Sequence, residues 1–119
     1  DRIKQKELLQ RALAIKEKRF GPHDRRLAVT LTSLGDAHGA LGEKEEQMAT
    51  LERALDIKVR VYGPNHHEVA VTLANLGIAH RRANDPKQAL ELFERAVEIK
   101  EAEFGRDHPK VALTLGNMA

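Results

Sequence analysis

Slid against itself by 42 positions, the chain matches without a gap. Residues 21–62 and 63–104 share 15 identities, among them Gly21/Gly63, Pro22/Pro64, Thr30/Thr72, Leu31/Leu73, Gly35/Gly77, His38/His80, Arg53/Arg95, Ala54/Ala96 and Lys58/Lys100. Such a period marks a repeat architecture, in which one supersecondary unit buries its apolar face only by stacking on its neighbours. The pattern runs past both copies: Leu9, Arg11, Ala12, Leu13, Ile15 and Lys16 echo the end of a copy, and Asp107 to Ala119 open another. The expectation is one array of about two and a half repeats. Residues 1–20 would form a lone second helix, 21–62 and 63–104 two whole repeats, and 105–119 a truncated first helix.

Within a copy the apolar residues recur three or four apart, the spacing of one helix face. Leu27, Leu31, Leu34, His38 and Leu41 mark a first helix, A, as do Val69, Leu73, Leu76, His80 and Ala83. Met48, Leu51, Ala54, Leu55 and Val61 mark a second, B, repeated at Ala89, Phe93, Ala96, Val97 and Phe104. Gly42 ends the first A helix, and Asn84-Asp85-Pro86 supplies a turn, an N-cap and a proline at the first helical position. Gly21-Pro22, Gly63-Pro64 and Gly105 end the B helices, with Asn65 and Asp107 as candidate caps for the next A helix. Helices joined by such short turns lie antiparallel. The fold class is therefore all-α, a solenoid of antiparallel helix hairpins, with Leu31, Leu73 and Leu115 on a shared apolar spine.

With three Phe, one Tyr and no Trp, the core falls to Ala and Leu, which suits closely packed helices. Mid-helix Gly35 and Gly77 would be unfavourable by about 1 kcal/mol relative to alanine unless a packing need offset it. The need expected is a close crossing of helix B, with Ala54 and Ala96 as the small counterparts.

These residues carry a family resemblance. Leu31-x2-Leu34-Gly35-x2-His38 followed by Gln47-x3-Leu51-x2-Ala54, and Leu73-x2-Leu76-Gly77-x2-His80 followed by Ala89-x3-Phe93-x2-Ala96, resemble the tetratricopeptide repeat (TPR). Leu replaces the usual Trp, His the usual Tyr, and Gln47 a usually small residue. The 42-residue period, Gly63-Pro64-Asn65-His66 and Asp107-His108-Pro109 are similar to the kinesin-light-chain-like subclass. The resemblance implies a right-handed superhelix whose A helices line a concave groove for protein partners.

Residue by residue, it places Ser33 and Asp36 in that groove, then Asn75, Ile78, Arg81 and Arg82, then Asn117. Asn75 and Asn117 can both donate to and accept from the backbone of an extended peptide, and Arg81 and Arg82 would select acidic residues in it. The same arginines also suit a solvated helix end, where positive charge complements the macrodipole. The positions that clamp a chaperone C-terminal carboxylate in related arrays hold Thr32, Asp36, Ala74 and Ile78 here, so that clamp is not expected.

Other chemistries find little support. The net charge of +2 predicts no attraction to nucleic acid or membrane, and although residues 1–20 hold seven Lys or Arg against three acids, no aromatic platform accompanies them. Without cysteine there is no disulfide framework or thiolate nucleophile. Four of the six histidines, His23, His66, His67 and His108, are spread over three inter-repeat turns, and no catalytic motif is present. The chain is expected to be a cytoplasmic, non-catalytic scaffold without cofactor or metal, taking an extended acidic peptide as partner. The alternative is a self-assembly module, a homodimer or helix swap through apolar seams at the array's ends, using Leu9 and Leu13 at one and Val111, Leu115 and Met118 at the other.

Overall fold

A computed structural model describes residues 1–118. Ala119, the last residue of the expected third copy, lies outside them. Six helices succeed one another: α1 (Arg2–Phe20), α2 (Arg26–Ala40), α3 (Lys44–Tyr62), α4 (His67–Arg82), α5 (Pro86–Phe104) and α6 (Pro109–Met118). Each packs on the next, most extensively α2 on α3 and α4 on α5, so the molecule is a stack of hairpins, 41 × 29 × 21 Å. Here α2, α4 and α6 are A helices, and α1, α3 and α5 are B helices.

Two kinds of turn alternate, each set by residue type. Every B helix ends in glycine, at Gly21, Gly63 and Gly105, with φ between 86° and 90°. The A-to-B turns place Gly42 (φ 76°) and Asn84 (φ 64°) in the left-handed region that glycine and asparagine tolerate best. The next amide then closes the helix end: Glu43 N–H donates to His38 C=O at 2.9 Å and Asp85 N–H to His80 C=O at 2.8 Å. Asp85 caps α5 through Gln88 N–H, with Pro86 beginning the helix. The caps of α4 and α6 differ from expectation. His66 and His108, not Asn65 and Asp107, accept from Glu68 and Lys110 N–H through Nδ1 at 3.0 and 3.1 Å. Each imidazole also stacks on the aromatic residue that closes the preceding B helix, Tyr62 or Phe104.

The core follows the predicted stripes with two corrections. Leu27, Leu31, Leu34, Leu51, Val69, Leu73, Leu76 and Phe93 are all buried. Burying a side chain of this size contributes about 1.5–3 kcal/mol. Val61, expected on the buried stripe of α3, is exposed, and Ile57 is buried instead. Nor do Ala54 and Ala96 meet the mid-helix glycines. A Cβ on Gly35 would lie 2.9 Å from Leu51 Cδ2, and one on Gly77 2.8 Å from the Phe93 ring. The glycines are sockets for large B-helix side chains.

Within each repeat a fixed polar link ties the B helix back to the turn that opens the copy. Arg53 donates to Pro22 C=O at 3.2 Å and Arg95 to Pro64 C=O at 3.1 Å, both across 31 residues. Leu55 packs against both the Leu51–Leu76 cluster and the Leu73–Phe93 cluster, joining the cores of the two hairpins. Leu115 departs from the expected spine: it is 45% exposed, against 1% for Leu31 and 3% for Leu73. Among the described residues no later helix lies over α6.

Candidate functional site

The A helices keep a second periodic set of side chains that the core does not use. Val29, Val71 and Leu113, each 42 positions apart, are exposed by 72%, 38% and 69%. One turn on, Ser33, Asn75 and Asn117 are half-buried. Between successive A helices these positions line two clefts of about 210 and 290 Å³, floored in each case by a B-helix lysine. Val29, Ser33, Lys58 and Glu68 line the first; Val71, Asn75, Ile78, Lys100, Leu113 and Asn117 line the second.

The lysines set the electrostatics. Lys58 and Lys100 are each only 8% exposed, and Lys16 holds the same position on α1. Lys16 Nζ donates to Thr30 Oγ1 at 2.7 Å, and Lys100 Nζ to Thr114 Oγ1 at 2.9 Å. Lys58 turns instead to the Glu68 carboxylate, 3.9 Å away. Burial pushes both Lys58 and Lys100 below the ordinary lysine range; Glu68 pulls Lys58 back up, whereas Lys110 pushes Lys100 further down. The sequence reading did not single out these lysines. The available signal was their recurrence at 16, 58 and 100 beside Thr30, Thr72 and Thr114.

The residues singled out from the sequence separate into several places. Asn75, Ile78 and Asn117 come together in the second cleft, and Ser33 lines the first. Asp36 sits with Arg2, Gln5 and Ser33 in a hollow between α1 and α2, where burial raises its carboxyl pKa. Arg82 is exposed and lines neither cleft. Arg81 stands over the Phe93 ring, 5.8 Å from its centroid, and donates to the backbone carbonyl of Asn117. Its guanidinium thus ties α4 to the end of α6. At the expected seams, Val111 is fully buried because α5 packs on α6 at that point. Leu9 and Leu13 are half-buried, Leu13 against the Leu27–Ile57 cluster, and Met118 packs against the cluster around Phe93. Leu8, Ile15 and Leu115 remain exposed.

His38 and His80 face the A-to-B turns. Nδ1 of His38 lies 2.9 Å from Glu43 Oε1, and that of His80 lies 3.3 Å from Asp85 Oδ2. Glu43 also receives Lys6 Nζ at 3.1 Å, and these bonds, led by the one from His38, hold its carboxyl below the usual range. A size exchange distinguishes the two hairpins. The buried Gln47 amide fills the space beside Gly39, while the equivalent pair is Arg81 and Ala89. This accounts for the glutamine at a usually small position.

Sequence profiles described as tetratricopeptide repeat match residues 27–68 and 48–102. The chain belongs to the tetratricopeptide repeat family. Its fold is shared by solved structures that include TPR-like repeats of a kinesin light chain. The nearly identical TPR-like repeats of a candidate Podosopora anserina kinesin light chain superpose with a TM-score of 0.88 at 21% identity, covering 98% of this chain and 56% of that one. BtubC (BKLC) from P. vanneervenii gives 0.90 at 24% identity, covering 98% and 47%. This TPR chain thus spans about half the length of the structures it matches. No curated protein gives a significant match. No helix among the described residues is long and apolar enough to cross a membrane.

Proposed function

We propose that this TPR chain is a non-catalytic scaffold that holds an extended, acidic segment of a partner protein across its A helices. The observation that carries the reading is the 42-residue recurrence of exposed aliphatics at Val29, Val71 and Leu113 beside Ser33, Asn75 and Asn117. Exposed apolar side chains rimmed by polar ones are the mark of an interaction surface. Their spacing along the stack suits a strand-like ligand that offers a side chain to each cleft and its backbone to the amides. Arg82 and Ile78 belong to the same proposed surface, and Asp36 and Arg81 to its edges.

The test is a peptide-library screen of the wild-type chain against an Asn75→Ala, Asn117→Ala variant. Selected peptides should bind the variant about tenfold more weakly, a difference of ~1.4 kcal/mol, with no change in mass. Equal binding to both proteins would reject this surface.

Exposed Leu8 and Ile15 on α1 favour a second reading, self-association. In that case Leu8→Glu with Ile15→Lys should lower the mass in sedimentation; a wild-type chain that stays monomeric at high concentration excludes it.

A further inference from the structure

The two clefts are built alike but finished differently. Lys58 and Lys100 floor them from equivalent positions with equal burial. A buried ammonium is unfavourable unless a counter-charge stands nearby, because its hydration is lost. The first cleft contains that counter-charge, Glu68, at 3.9 Å. The position 42 residues beyond Glu68 is Lys110, whose Nζ stands 4.7 Å from the centroid of the Phe104 ring. Among the described residues, Lys100 has no carboxylate partner. Of its three N–H donors, one is taken by Thr114 Oγ1. Val71, Ile78 and Leu113 line the same cleft, together with Asn75 and Asn117.

We infer that the second cleft binds the side-chain carboxylate of an aspartate or glutamate in a partner polypeptide, with Lys100 as its counter-ion. We further infer that the first cleft refuses an acid because Glu68 already fills that place. The inference rests on the groove reading above and deepens it: acid selection passes from Arg81, which is engaged with α6, to the cleft floor. A polypeptide is the occupant, not a free small acid, because Leu113 and Val71 leave apolar surface beside the cation that only a flanking side chain would cover. Burial strengthens the pair, since the lysine is already largely desolvated before the ligand arrives.

The test exchanges the finishing residues, both on the surface. A labelled dodecapeptide alternating leucine and aspartate, and its asparagine counterpart, are titrated into the wild-type chain, Lys110→Glu and Glu68→Lys. The wild type should bind the aspartate peptide at one site, about tenfold more tightly than the asparagine peptide. Lys110→Glu should lose that preference, and Glu68→Lys should gain a second site. Circular dichroism should give all three the same helix content. Saturable binding with no preference for aspartate, or a preference that survives Lys110→Glu, overturns the assignment to Lys100 while the groove reading stands. No saturable binding of either peptide to the wild type overturns both. Succinate that displaces the peptide fully at millimolar concentration would make a free dicarboxylate the ligand and overturn the choice of a polypeptide.

Discussion

The cleft over Lys58 and the cleft over Lys100 are built from equivalent helices in the same register, yet the first lysine faces a carboxylate and, among the described residues, the second does not. A single surface position makes the difference, Glu68 in one and Lys110 in the other. Neither is a core residue, and the fold tolerates both. In a repeat array the core must recur because each hairpin packs against the next, whereas rim residues are free to diverge. The two clefts therefore differ where the repeat breaks. The Gly39/Gln47 and Arg81/Ala89 exchange is the packing counterpart: Gln47 fills the space beside Gly39 in one hairpin, whereas a hollow lined by Arg81, Ala89 and Phe93 remains in the other.

Three measurements would sharpen or break the contrast between hairpins. The largest effect is expected in the sockets. Phe93→Ala should destabilise the chain by about 3–5 kcal/mol and Leu51→Ala by about 2–5 kcal/mol, read from the midpoint of urea unfolding. Phe93 should be the more sensitive because its ring fills the Gly77 socket and also lies beneath Arg81. If both variants cost under ~1 kcal/mol, the hairpins are not held by these sockets.

Next come the two lysines. At neutral pH each buried ammonium is destabilising, and the folded state recovers stability as pH rises from the lowered folded pKa toward the ordinary value of about 10.4. Lys100→Met should raise Tm by a few degrees. Lys58→Met should raise it less, because Glu68 offsets the burial there and would lose its partner. Equal gains would mean that the clefts are not electrostatically distinct.

The smallest effect is at the turns. Because hydrogen bonds from His38 and Lys6 lower the folded pKa of Glu43, its contribution is complete above the ordinary glutamate value of about 4.3 and is lost as pH falls through the lowered one. In Glu43→Gln, thermal melts between pH 7 and pH 3 should show a shallower acid-side loss than the wild type. Unchanged slopes would show that the turn does not depend on this carboxylate.

The sequence made the helix faces legible because burial repeats with the helix period, and the A-to-B turns legible because few residue types tolerate the left-handed backbone of Gly42 and Asn84. It misplaced the α4 and α6 caps by one residue. Asn65 and Asp107 are favoured cap types, but His66 and His108 gain an aromatic stack as well. It singled out Asn75, Ile78 and Asn117, which line one cleft, but not the lysine beneath them, since a lysine in a helical stripe reads as a solvated charge until the neighbouring hairpin covers it. Arg81 shows the converse: a guanidinium that looks free along the chain is engaged once α6 arrives.

The sequence by itself determined the all-α repeat, its register and its turns, because periodicity and backbone preference are local properties carried by residue type. Only the tertiary structure decided which side chains share a cleft and which charges are compensated. Those depend on distances between residues far apart in the chain, and on the desolvation that a neighbouring helix imposes.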